Sequence, residues 1–358
     1  MKCSCSKVFL YKVFTTVIMV ILLLVLLTGC GKKKASISTS PDISQATQPK
    51  KQEQGISSVS ELNTHTCKLT GEAVYQGDEH QIIAVMINNE PGAIPQSSLS
   101  QAEYLYEALI EGGATRIMAI YHHTYPKKVG PIRSARPYFM QIAKSLNAYY
   151  VHCGGSPQAY RLFKQNYIPH IDAIYTGGGI FYRTSDRKAP HNLYSTMENL
   201  VKYFEKKGYK KQQSYKYYSL AEEVTNKYTS ENSEVKIQFS GWYYVRYEYD
   251  PVKKVYMRFV KDKPHTDKEK GLQLFAKNLI ILVAKYATIK NDDKGRQEVD
   301  FSKGKGYLLQ EGKTIPVIYT FDLKNSFTIK DSDNKEVKLL KGNTWFEIVP
   351  QYGKIEIK

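Results

Sequence analysis

The chain has 358 residues, a formal net charge of +17, 42% apolar and 24% charged residues. That length and apolar content leave room for two ordinary domains with buried cores, and exclude a wholly disordered chain. Five cysteines over such a length are too few for a disulfide framework.

The amino terminus carries Lys2, Lys7 and Lys12 with no acidic residue, then an unbroken apolar run from Val17 to Leu27, then Leu27-Thr28-Gly29-Cys30. A basic start, a short apolar core and small residues at the cut describe a secretory signal. The run falls short of the ~20 apolar residues that a membrane span needs. Residues 1–29 therefore read as a lipoprotein signal peptide, with Cys30 as the thiol that takes a diacylglyceryl group. Two acyl chains suffice for stable anchoring. The expected location is extracytoplasmic, tethered to the cell membrane, which makes nucleic acid a poor partner. Lys32, Lys33 and Lys34 would lie against anionic lipid. Without the three signal lysines the excess is still +14, which suits the anionic polymers of an envelope and equally serves solubility. Cys67 and Cys153 are the only thiols after Cys30, and outside the cytoplasm they could pair.

Residues 30–66, with Cys30 at their head, are rich in Ser, Thr, Gln and Lys and poor in large apolar side chains. They predict a flexible tether. A mixed α/β domain is expected over 67–213. Ile82–Ile87 is a solid apolar run, read as a buried strand. Tyr104–Tyr121 reads as two strands around a Gly112-Gly113 turn. Pro137–Leu146 puts Phe139, Ile142, Ala143 and Leu146 on one helical face. Ala148–Cys153 is a further strand, and Ser156-Pro157 caps and starts a second helix. A third helix is expected to begin at Ser195, with Glu198 completing a capping box.

Over 214–358, a short helical piece near Leu220–Asn226 precedes strand-like runs: VKIQFS, WYYVRYEY, KVYMRFV, NLIILVAKYATI, KGYLLQ, SFTIKD and WFEIVP. The expected fold class is thus α+β, a mixed α/β N-terminal domain followed by a mainly antiparallel all-β C-terminal domain. The alternating tyrosines read as sheet packing.

Polar residues of the first domain gather in four places. With a two-residue turn at Gly112-Gly113, Glu107, Glu111 and Arg116 share one face of the hairpin, and a register slip of one would separate them. Arg133, Ser134 and Arg136 lie in Gly130–Pro137, just before a helix whose free N–H groups favour anions. Gly154, Gly155 and Ser156 form a tight turn into the next helix. Asp186, Arg187, His191 and Asn192 sit in a charged loop. His122-His123, His152, His170 and His191 lack ligand spacing, so neither metal nor cofactor is expected. No nucleophile elbow or phosphate-loop signature occurs.

These strings resemble the YerB-type lipoproteins of Gram-positive bacteria. They include Ala84–Asn89, Glu111-Gly112-Gly113, Gly130–Arg136, Gly154–Pro157, Arg187–Tyr194, Tyr249-Asp250-Pro251, Lys303–Tyr307 and Gly342–Trp345. The resemblance implies the location and a two-domain plan, and names no reaction. Glu90 departs from it, since a histidine commonly follows the Asn pair, and no role is expected of position 90.

On residues alone, the first expectation is a binding module for an anionic or glycan wall component. Arg116, Arg133 and Arg136 would hold negative groups, with Glu107, Glu111, Asp186 and His191 bonding hydroxyls or amides. A peptidoglycan-cleaving glycosidase or lytic transglycosylase is a second reading, with Glu107 or Glu111 as general acid. Such chemistry wants its carboxylates ~5–9.5 Å apart, and acids four apart on a strand lie ~13 Å apart at Cα. A scaffold for wall-synthesis proteins is the third.

Overall fold

The computed structural model describes residues 64–75, 81–209, 217–226 and 229–358. The signal peptide, Cys30 and nearly all of the expected tether lie outside these residues. The N-terminal half contributes β1 (Ile83–Asn88), β2 (Tyr104–Leu109), β3 (Thr115–Tyr121), β4 (Tyr149–His152) and β5 (His170–Asp172). Its helices are α1 (Pro137–Ser145), α2 (Pro157–Lys164) and α3 (Met197–Lys206). Every residue of β1, β2 and β3 is buried. Strands covered on both faces have no solvent side to keep polar, which is why Ile82–Ile87 reads as a continuous apolar run.

The helix starts follow their caps. Pro137 opens α1, where its missing N–H would have had no partner. The Ser156 hydroxyl accepts the Ala159 N–H at 3.1 Å to cap α2. For α3 the expected cap is one residue early. Thr196 accepts the Asn199 N–H at 3.0 Å, whereas Ser195 ends the short strand Leu193–Ser195 and donates to the Ile180 carbonyl at 2.8 Å.

The C-terminal half contributes β6 (Glu234–Gln238), β7 (Tyr244–Asp250), β8 (Val255–Val260), β9 (Asn278–Thr288), β10 (Lys303–Gln310), β11 (Lys313–Asp322), β12 (Thr344–Pro350) and β13 (Lys354–Ile357). The helical piece expected near Leu220–Asn226 does not form. Leu220–Ala221 pairs in parallel with Leu339–Leu340 instead, since so short an apolar stretch gains more from a neighbouring strand than from one helical turn.

Strands therefore dominate, with the three α-helices of the described residues all in the N-terminal half. A 12-stranded sheet runs β11-β10-β9-β12-β2-β3-β1-β4-β5, with three short flanking strands completing it. Its N-terminal part mixes parallel and antiparallel pairs, and most pairs in the C-terminal half are antiparallel. β12 lies parallel to both β9 and β2, so strands from the two halves of the chain join in one sheet. A six-stranded sheet, built around β8-β7-β6-β13, carries Tyr243, Tyr247, Tyr256 and Arg258 inward. Tyr243 and Arg258 both touch Glu107 of β2, so this sheet packs on the Glu107 face of the large one.

The β2–β3 connection differs from expectation in one decisive respect. Ile110 N–H bonds to the Ala114 carbonyl at 2.8 Å, so three residues, Glu111–Gly113, make the turn, with Gly112 left-handed at φ 70°. The register becomes Ala108↔Arg116 and Glu107↔Ile117. That one-residue shift puts Glu107 and Arg116 on opposite faces of the sheet.

Candidate functional site

The shift splits the expected cluster into a buried network and a more open one. On one face, Glu107 is wholly buried. Its Oε1 accepts hydrogen bonds from Asn89 Nδ2 (3.0 Å), Thr115 Oγ1 (2.5 Å) and Tyr243 Oη (2.8 Å). Its Oε2 receives Arg258 Nη2. Glu347 is its register neighbour on β12 and accepts Arg258 Nη1 at 2.6 Å. Burial, then the adjacent Glu107 charge, pushes the Glu347 carboxyl up to about 8. His265 Nδ1 accepts Arg258 Nε at 3.0 Å, and its Nε2 lies 2.7 Å from Gln96 Oε1. Arg258 cannot give up its proton here, so Nδ1 is the bare nitrogen and Nε2–H donates to Gln96. Burial and the Arg258 charge hold this imidazole well below the ordinary histidine range. A carboxylate whose oxygens are all engaged away from solvent has no free oxygen to offer a substrate. The expected general-acid role of Glu107 is therefore corrected to a structural one.

On the other face, Arg116 is 2% exposed and donates Nη1–H to the Ser134 carbonyl at 2.8 Å. Glu111, in the turn, forms a two-pronged ion pair with Arg136 at the start of α1. Burial opposes ionisation of Glu111, but the charge and hydrogen bonds of Arg136 outweigh it and hold the carboxyl below its usual value. Arg116 is pushed down to about 9 by burial, then by the positive charge of Arg136, with Arg133 adding to it. Glu111 and Glu107 thus form no carboxylate pair.

Arg133 donates to Glu90 Oε2 at 3.3 Å, and His191 Nδ1 lies 3.8 Å from the same oxygen. All three side chains are partly exposed. The Asn88 amide is oriented by the Glu90 N–H on its Oδ1 and turns its Nδ2 to His191 Nδ1 at 2.8 Å. Glu90, expected to do nothing, is the counter-charge of this group. Within this face, Arg116 Nε and Arg133 Nε are buried and meet no acceptor among the described residues.

The remaining expected residues act as braces. Arg187 donates to the Ala93 and Pro95 carbonyls at 2.5 and 2.6 Å. Asn192 bonds the Thr184 and Arg187 carbonyls, and His191 packs over Gly92. The Arg187–Asn192 string thereby holds the loop after Asn89. Asp186 is exposed and pairs with Lys268 of the C-terminal half. Gly154 is left-handed (φ 72°), with Ile174 and Ser134 close to where a Cβ would sit. Gly155 faces Ala135 and Ser156 is the α2 cap. Cys67 and Cys153 are both free thiols.

Sequence reasoning missed Arg258, Glu347, Asn89, Gln96 and His265. A charge inside an otherwise apolar strand run, as in VYMRFV and WFEIVP, is the signal that marks the first two.

Two family models match the chain. Residues 69–210 match the N-terminal domain, and 235–346 the C-terminal domain, of a “Protein of unknown function (DUF3048)”. A relative from Bacillus subtilis (strain 168), named “Putative lipoprotein YerB”, is 33% identical over 276 residues, spanning 76% of this chain and 82% of the relative. A crystal structure of the YerB protein from Bacillus subtilis superposes with a TM-score of 0.73 at 32% identity. It covers 82% of this chain and 99% of that one.

Proposed function

The chain belongs to the DUF3048 family of YerB-like proteins, and on that premise we propose a lipoprotein, anchored through Cys30, whose N-terminal half binds an anionic group of a cell-envelope polymer. The lipoprotein name of the Bacillus relative and the signal-like first 29 residues support the anchor. Replacing Cys30 by Ala is expected to move the protein from the membrane fraction to the soluble one. Retention in the membrane would count against the anchor.

One observation carries the binding reading. Among the described residues, the three guanidiniums Arg116, Arg133 and Arg136 pair with two carboxylates, Glu111 and Glu90, and two of their Nε–H donors are buried without an acceptor. A buried donor left unmade costs about 1–3 kcal/mol, and an anion that offers two oxygens side by side, such as a carboxylate or phosphate, has the geometry to relieve it. The excess positive charge favours such a ligand. Arg133 is the partly exposed member, so it is the entry point.

The full-length protein in detergent is expected to sediment with isolated cell walls, less so as salt rises. Arg133→Gln is expected to lower that retention about ten- to a hundredfold, the worth of a charge-assisted hydrogen bond at ~1.5–3 kcal/mol. Equal retention by the variant would reject the site. No observation favours turnover: Glu107 is sealed and Glu111 is spent on Arg136.

A further inference from the structure

A cavity lined by lysines includes none of Arg116, Arg133 and Arg136. It measures about 560 Å³ and sits between the loop Thr176–Ile180 and the outer stripe of α3. Met197, Leu200 and Phe204 take α3's inner face. Asn199, Lys202, Tyr203 and Lys206 therefore recur at helical spacing along the cavity side, and Lys207 follows at its end. Among the described residues, no acidic side chain lines the cavity.

Among the described residues, Lys202 pairs with the exposed Glu198 alone, a pair of the kind that contributes little. Among the described residues, Lys206 and Lys207 have no carboxylate within ion-pair distance. The negative end of the α3 dipole also lies here, but it amounts to about half a charge against three whole ones.

The facing loop reads Thr176-Gly177-Gly178-Gly179. Gly178 and Gly179 are left-handed (φ 80° and 73°), and no atom lies within 4 Å of where their Cβ atoms would be. Among the described residues, the amide N–H groups of these three glycines donate to no protein acceptor. A ligand can approach that backbone closely.

We infer that this cavity is a binding site for a polyol phosphate, with the phosphate held by Lys202, Lys206, Lys207 and the glycine amides. Lysines bind as point charges and suit a tetrahedral phosphate, whereas the planar arginine fork suits carboxylates as well. A volume of about 560 Å³ exceeds what one phosphate fills, and it lies in the usual range of small-ligand sites, ~300–1,000 Å³. Lys207 Nζ stands over the Tyr203 ring, 5.5 Å from its centroid, so the lysine that would take the phosphate and the ring that would meet the polyol carbons lie side by side.

The same chemistry occurs free, in a phosphodiester polymer and in a lipid headgroup. Full-length protein in detergent would be titrated with glycerol phosphate and with poly(glycerol phosphate), and in vesicle form with phosphatidylglycerol against phosphatidylcholine. Binding to at least one phosphate probe is expected, reduced at least tenfold in Lys206→Gln/Lys207→Gln. Gly178→Val, which fills the approach without touching charge, is expected to weaken it too, while Lys263→Gln leaves it unchanged. The probe that binds most tightly identifies the source. Arg133→Gln is expected to retain this binding, which separates failure here from failure at the arginine site. Binding to none of the probes, or equal binding by the double lysine variant with an unchanged melting temperature, would overturn the inference.

Discussion

Glu107 and Glu347 sit side by side on neighbouring parallel strands and share a single guanidinium, Arg258. Two carboxylates and one guanidinium, all fully buried, balance only if one carboxyl keeps its proton. Glu347 Oε2 has no partner among the described residues, so the proton belongs there. Glutamine is the neutral isostere, and Glu347→Gln is expected to change stability by less than ~1 kcal/mol at low pH, where both side chains are uncharged in the folded and the unfolded chain. Glu107→Gln/Glu347→Gln leaves Arg258 without a counter-charge and is expected to cost ~3–5 kcal/mol in urea unfolding. The pH dependence has a definite sign. With its folded value raised to about 8, Glu347 contributes stability that is complete below the ordinary carboxylate range and is lost as pH rises towards 8. The stability difference between wild type and Glu347→Gln should shrink or invert over that window, and a constant difference would contradict the assignment. Little of this network was legible beforehand. Alternation within a strand tells which residues share a face, not which face another sheet will cover.

Elements were easier to read than their edges. The strand runs of the C-terminal half and the starts of α1 and α2 follow directly from apolar runs, Ser156 and the two prolines. The start of α3 was misplaced by one because Ser195 and Thr196 are both acceptable caps, and only the Ser195–Ile180 bond decides between them. Thr196→Ala is therefore expected to cost ~1 kcal/mol by loss of its cap, measured as a shift in urea midpoint. An unchanged midpoint would return the cap to Ser195. The β2–β3 turn shows how much one residue matters. Gly112-Gly113 correctly marks a turn, but whether two or three residues make it cannot be settled by composition. That choice moved Glu107 from a supposed open site into the interior.

At the scale of the molecule, the two family matches divide the chain in the region 210–235, while β12 places the C-terminal half directly beside β2. Arg258, Tyr243 and Trp242 of the later half bond Glu107 and Gly112 of the earlier one. Halves that share a sheet and a buried ion network are expected to unfold together. Calorimetry should show one transition for the body, and residues 64–209 expressed alone should not fold. Two separate transitions would oppose this. The sequence showed where the composition changes and gave no sign of the shared sheet, because strand pairing across 240 residues leaves no local pattern. The arginine face of the N-terminal half is where the proposed anion would bind. The most direct test of that binding is the NMR titration of arginine Nε–H signals in the full-length protein with soluble cell-wall fragments. The Arg116 and Arg133 signals are expected to shift and those of Arg246 and Arg296 to stay. Unmoved Arg116 and Arg133 signals at saturating fragment would contradict it.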